Sequence, residues 1–328
     1  MLKPIIPGVA FGAALAAAGI HQPTVIVEQM SFQNWHMITT FLTAAGASTI
    51  LVNIFQRLGY IHLNPRAFST IGIFGPFDGN IIGGCLLGAG MTISDSCPGT
   101  LFAQVGAGMR SGLYSMIGGI LGGVLWSGLL RPTLRSQATG KPMDTRDDRL
   151  TLDRWTGISK QRVLIVLEST FASVIAATVY FTSPKSNGLV GPVVGGLMIA
   201  GAQLTSILIR KSLLGTSSSF EEVGDYVWWA IGQGVRPKSY STIVFTAGMI
   251  FGALVIFLAF PSAPVAPEVV IKPTRSLLGG ILIAIGSRMA GGCTSGHGIS
   301  GISLLSISSL ITVASMFAGG AGVTAVIG

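Results

Sequence analysis

Charged side chains are scarce in this chain: Asp, Glu, Lys and Arg make up 10% of its 328 residues, where a soluble domain carries about 25%. That shortage excludes an ordinary water-soluble fold. Cysteine is scarcer, with three residues, Cys85, Cys97 and Cys293. An odd number, two of them in matching sites, excludes a disulfide framework. Two cysteines and one nearby histidine without paired spacing fall short of a zinc site, so no metal is expected. There is no C-x-x-C pair and no cofactor motif, and no cofactor is expected.

In place of charge the chain has apolar length and glycine, 49% hydrophobic residues and 46 glycines. Runs of roughly 18 or more apolar residues, long enough to cross a bilayer, recur throughout. They fall at about 4–20, 37–55, 77–93, 111–130, 162–181, 188–209, 241–260, 275–291 and 303–327. This pattern predicts an all-α, multi-pass membrane protein of about nine transmembrane helices, with the lipid bilayer as its solvent and a surface (plasma) membrane as the default location. The first run has a signal-peptide look, with Lys3 ahead of it and Ala16-Ala17-Ala18 at its end. A similar glycine-rich run recurs after Gly188, however, and Ser31-Phe32-Gln33 is echoed by Ser219-Phe220-Glu221 at a shift of 188. It therefore reads as a mature membrane helix.

The net charge of +8 does not point to nucleic acid, because most of it sits in loops between apolar runs. The polar linker from Arg131 to Arg162 holds eight basic residues (Arg131, Arg135, Lys141, Arg146, Arg149, Arg154, Lys160, Arg162) against four aspartates. The positive-inside bias makes it cytoplasmic. Counting spans outward puts Lys3, Arg57, Arg66, Arg210, Lys211, Arg236 and Lys238 on the same side, so 15 of the 20 basic residues face the cytoplasm. The amino terminus is then inside and the carboxyl terminus outside.

A short stretch occurs twice. A shift of 196 positions lays Cys97 on Cys293, Gly83 on Gly279, Gly84 on Gly280, Leu86 on Leu282 and Gly90 on Gly286. We read a first membrane repeat at 1–130, a basic linker with a connecting helix at 131–187, and a second repeat at 188–328. The extra span at 162–181 makes the two repeats enter the membrane with opposite orientation. In such inverted repeats the site lies between the halves near the midplane. Residues 97–110 and 293–302 are too short to cross and read as re-entrant or broken helices, which membrane depth tolerates only inside protein or along a polar cavity.

Each cysteine sits among hydroxyls and glycines: Ser94-Asp95-Ser96-Cys97-Pro98-Gly99-Thr100 and Cys293-Thr294-Ser295-Gly296-His297-Gly298. Helix amino termini there would offer unpaired N–H groups to an anion. Thiols facing amide and hydroxyl donors suit an anion with one soft sulfur and hard oxygens. The candidate substrate-binding residues are therefore Cys97, Cys293, Ser96, Thr100, Thr294, Ser295 and His297, with no catalytic residue. Cys85, aligned with Ile281, reads first as a small packing residue, and Arg288 either attracts the anion or sits at the headgroups. Asp95, Arg110 and Glu168 are further charges in or near the membrane, where such groups are functional or paired. His21, His36 and His62 fall at span ends.

At these residues the sequence resembles the YeeE/YedE family of sulfur-transport membrane proteins. Gly291-Gly292-Cys293-Thr294-Ser295-Gly296-His297-Gly298-Ile299-Ser300-Gly301, followed by Ala314-Ser315-Met316-Phe317-Ala318-Gly319-Gly320, is similar to the family's carboxyl-half signature. Cys97-Pro98-Gly99-Thr100 with Gly106 and Gly108 resembles its amino-half signature. The resemblance implies an hourglass-like helical fold and uptake of thiosulfate, with Cys97 and Cys293 contacting the ion through S–H to sulfur contacts. It also implies a small soluble sulfur-carrier protein as a partner for some members, and other sulfur or selenium compounds as substrates for others. Family members carry a further cysteine early in the chain; here none precedes Cys85. The rival reading of the paired thiols is a membrane thiol protein that forms a persulfide or a Cys97–Cys293 disulfide.

Overall fold

Every apolar run becomes a helix, with ends within a few residues of the hydropathy pattern. The structure, a computed structural model, describes residues 3–138, 150–182, 188–261 and 271–327. Of the basic linker, Lys141, Arg146 and Arg149 lie outside the described residues. Among the described residues there are fourteen α-helices and no sheet. In chain order they are α1 (Ile5–Ala17), α2 (Pro23–Met30), α3 (His36–Arg57), α4 (Asp78–Ser94), α5 (Thr100–Gly106), α6 (Arg110–Leu125) and α7 (Arg131–Ala138). Then come α8 (Leu152–Thr156), α9 (Lys160–Thr182), α10 (Pro192–Arg210), α11 (Ser218–Ala230), α12 (Ser241–Ala259), α13 (Pro273–Met289) and α14 (Ile307–Ile327). A π-helical turn at Trp126–Leu130 joins α6 to α7 without a break, so the first part of the expected polar linker is helical.

Among the described residues six helices are long and apolar enough to span a bilayer, not nine: α3, α6 extended to Leu134, α9, α10, α12 and α14. The runs expected at 4–20, 77–93 and 275–291 form α1, α4 and α13, of 13, 17 and 17 residues. A 17-residue helix is about 25 Å long, short of the ~30 Å hydrocarbon core. Local backbone sets the limit. α4 stops where Asp95 turns left-handed at φ 50°, and α13 stops before Gly291, at φ 82°. Both stops feed a cysteine loop.

Glycine decides how the helices meet, because small residues let membrane helices approach backbone to backbone. On α1 and α12, Gly8 lies on Phe245, Gly12 on Met249, Gly248 on Ile5 and Gly252 on Val9. On α4 and α13, Gly83 faces Gly286 and Gly90 faces Gly279. The packing partners come in matching pairs: α1 with α12 and α10 with α3, α4 with α14 and α13 with α6. α4 also packs on α13, and α1 on α10. The π-helical turn Ser295–Gly301 packs on α3 and α14 much as α5 packs on α12 and α6. α9 leans on α3, where the Thr39 hydroxyl meets that of Thr178 at 3.0 Å.

Besides the short linker helices α7 and α8, two helices lie outside the hydropathy pattern. α2 carries Glu28 and Gln29, and α11 carries Glu221, Glu222 and Asp225, so neither reads as apolar. They also correct the echo at a shift of 188: Ser31-Phe32-Gln33 follows α2, whereas Ser219-Phe220-Glu221 opens α11. The two triplets do not occupy equivalent places.

Candidate substrate site

Each thiol sits in a buried loop between a long helix and a short one. Cys97 lies between α4 and α5, and Cys293 between α13 and the π-helical turn Ser295–Gly301. α5 and that turn have seven residues each, about 10 Å, too short to cross a bilayer. Cys97 is 4% exposed and Cys293 0%. All three cysteines are free.

Around Cys97 the loop closes on itself. The Cys97 N–H donates to Thr100 Oγ1 at 2.8 Å, and the Thr100 N–H donates to Cys97 Sγ at 3.3 Å. Ser96 Oγ donates to Gln104 Oε1 at 2.5 Å, and Gln104 Nε2 reaches the carbonyls of His21 and Asp95 at 2.9 Å each. Gln104 thereby ties α5 to the α1–α2 loop. On the other side Gly99 opens a space bounded by Cys97 Sγ, Leu15 and Phe11. The thiol has a polar side and an apolar wall.

Cys293 has the denser set of donors. Its Sγ lies 3.4 Å from Thr216 Oγ1 and 3.3 Å from Ser295 Oγ. Two hydroxyls beside one sulfur in a water-poor loop can donate to electron-rich sulfur there. Thr216, in the α10–α11 loop, comes from 77 positions away and was not visible as a site residue. The nearest hint was its run of hydroxyl neighbours, Ser217, Ser218 and Ser219.

The other candidates separate. Thr294 Oγ1 turns from the thiol toward Met91 Sδ at 3.6 Å and Met316 Sδ at 3.5 Å. His297 has both ring nitrogens engaged, Nδ1 with Ser309 Oγ at 2.9 Å and Nε2 with the Ala290 carbonyl at 3.1 Å. Since a carbonyl only accepts, Nε2 carries the proton, and the ring clips the loop shut. Arg288 pairs with Glu221, which also meets Arg131 at 2.8 Å, while Arg131 reaches Asp225 at 2.7 Å. This cluster lines a polar cavity of about 240 Å³ with Ser69, Thr70 and Trp126. Cys85 is half-buried in an apolar groove between α4 and α14, where Gly319 rests on its backbone.

Of the weaker charges, Asp95 caps α4, and the Glu168 side chain lies against Gly46 of α3. His21 packs edge-on against Phe257, His36 Nε2 donates to the Ala18 carbonyl at 2.8 Å, and His62 is exposed. No group of three or more His, Cys, Asp or Glu able to hold a metal occurs among the described residues.

The end of the linker pairs with the segment that opens α14. Leu152 N–H donates to the Leu305 carbonyl at 3.0 Å and Ile307 N–H to the Leu150 carbonyl at 3.1 Å. The linker end thus pairs with the turn that leads into α14, while the Cys97 loop lies against α1.

Known proteins agree with a membrane carrier. A thiosulfate transporter, TsuA, of Spirochaeta thermophila is 24% identical over 331 residues, covering 93% of this chain and 92% of that protein. Proteins named probable transporter from two strains of Xylella fastidiosa are 35% identical over 126 residues, 38% of this chain and 83% of theirs. The profile of the sulphur transport family matches residues 17–322, nearly the whole length, and the chain belongs to that family of multi-pass membrane transporters.

Proposed function

We propose that this protein carries thiosulfate, or a closely similar sulfur oxyanion, inward across the cell membrane. Cys293 and Cys97 meet the anion's terminal sulfur in turn. The observation that carries this reading is the buried Cys293 thiol set between Thr216 Oγ1 and Ser295 Oγ. Those donors suit an anion with soft sulfur beside hard oxygens. The name of the full-length Spirochaeta relative supports the same substrate.

Two halves of opposite orientation build the path in this reading. Its support is the matching set of helix pairs and the reciprocal contacts Gly83–Gly286 and Gly90–Gly279, in which each glycine meets not its own counterpart under the 196-position shift but the counterpart of the other glycine on its helix. An anion leaving the Cys97 loop would pass Thr100 and then meet Ser295 and Thr216 at Cys293. No chemical bond to the anion needs to form or break.

Uptake of sulfur-labelled thiosulfate into proteoliposomes tests this, comparing the intact protein with Cys293→Ser. Uptake by the intact protein that disappears in the variant is the expected result. Equal uptake by both would remove the cysteine mechanism, and no uptake by intact, folded protein would remove thiosulfate as the substrate.

A further inference from the structure

The α3–α4 connection, residues 58–77, holds a cation whose charge the Cys293 loop does not neutralise. Arg66 is anchored by its backbone: its N–H donates to Ser306 Oγ at 2.9 Å, and its carbonyl accepts from Ser308 Oγ at 3.1 Å. Three residues on, Ser69 Oγ donates to the Met289 carbonyl at 2.5 Å and the Ser69 N–H to Asn80 Oδ1 at 2.8 Å. The connection is therefore pinned to the end of α13 and the start of α14, and the half-buried guanidinium is aimed at the loop between them.

The loop is shaped to admit it. A Cβ on Gly292 would stand 2.9 Å from Arg66 Nη1, and one on Gly296 would stand 3.2 Å from Nη2 and 3.6 Å from Cys293 Sγ. A Cβ on Gly301 would stand 3.2 Å from Arg66 Cδ. Three glycines of the carboxyl-half motif thus line the side chain, and Gly296 places guanidinium and thiol on either side of one small space.

Most of the guanidinium's hydrogen-bonding capacity is unused. Of its five N–H donors, one is engaged among the described residues, from Nη1 to the Gly291 carbonyl at 3.0 Å. No carboxylate lies within ion-pair distance among the described residues, whereas neighbouring Arg288 and Arg131 are matched by Glu221 and Asp225. A half-buried cation with four donors unpaired among the described residues, beside a thiol flanked by two hydroxyls, is complementary to an anion. Its planar fork suits two oxygens of one tetrahedral group.

We propose that Arg66 binds the oxygens of the transported sulfur oxyanion while Cys293 meets its terminal sulfur. The proposal rests on the transporter reading above and adds the charge that selects an anion. Without Arg66 the thiol and its neutral donors would have only dipoles to offset the anion's desolvation.

The test is the concentration dependence of labelled thiosulfate uptake by proteoliposomes holding the intact protein, Arg66→Gln or Arg66→Lys, with melting temperatures taken in detergent. Glutamine should raise KM about tenfold or more, the scale of a lost charge-assisted hydrogen bond. Lysine should fall between, and Vmax and melting temperature should change little. An arginine that only braces the loop would lower Vmax and melting temperature together and leave KM in place, which overturns the proposal. If the glutamine variant does not fold, the lysine variant decides, a raised KM supporting the role and an unchanged KM overturning it. Failure of the intact protein to take up thiosulfate would overturn the transporter reading itself, whereas uptake indifferent to Arg66 overturns this proposal alone.

Discussion

Gly83 and Gly286 stand backbone to backbone where α4 crosses α13: a Cβ on either would lie 2.7 Å from the other's carbonyl oxygen. Gly90 and Gly279 repeat the relationship one step along, at 2.8 Å in both directions. Each pair joins a residue of the first half to one of the second, so the helices that lead into the two cysteine loops are held together by contacts no side chain can enter.

Gly286→Ala should therefore destabilise the protein by about 1–3 kcal/mol, the usual cost of overpacking a tight contact. It should be read as a fall in melting temperature in detergent. Gly201→Ala on α10, where a Cβ meets nothing within 4 Å, should be neutral or slightly stabilising, since alanine is the better helix former. Equal losses at both sites would contradict the glycine contact.

Cys97→Ser should abolish labelled thiosulfate uptake and leave the fold intact, because the serine hydroxyl can still accept the Thr100 N–H bond now made to Sγ. Cys85→Ser, in the apolar groove beside α14, should keep most of the uptake. Comparison of the two in proteoliposomes separates a sulfur contact from a general need for thiols.

Thr216→Val keeps the side-chain shape and removes one donor at 3.4 Å from the Cys293 sulfur. Uptake should fall up to about tenfold, within the 0.5–1.5 kcal/mol net worth of one hydrogen bond. Ser295→Ala should act in the same direction. If neither variant changes uptake, the hydroxyls around Cys293 serve packing alone.

Glu221 sits between two cations, Arg131 and Arg288. Glu221→Ala leaves both with less compensation in a partly buried cavity and should cost about 1–3 kcal/mol, kept below the full cost of breaking a buried pair because all four side chains in the cluster retain some exposure. Glu221→Gln, which retains hydrogen bonds, should cost less. Melting curves of the three proteins at low and high salt check the order.

The sequence alone determined the solvent and the skeleton. Low charge and long apolar runs require a bilayer, and the helices follow those runs closely. The repeat of Cys97 in Cys293 marked the two loops correctly as short, buried and polar, because glycine, serine and proline break helices through their own backbone chemistry. Tertiary structure decided what faces each thiol. Thr216 reaches the Cys293 sulfur and Arg66 the Cys293 loop from segments far away in sequence, and hydropathy describes local burial without naming the distant neighbour that fills a gap. For the same reason His297 and Thr294, four and one residues from Cys293, looked like ligands but turn to Ser309, Ala290, Met91 and Met316. A side chain's composition of neighbours is local, but its direction is set by the packed helices around it.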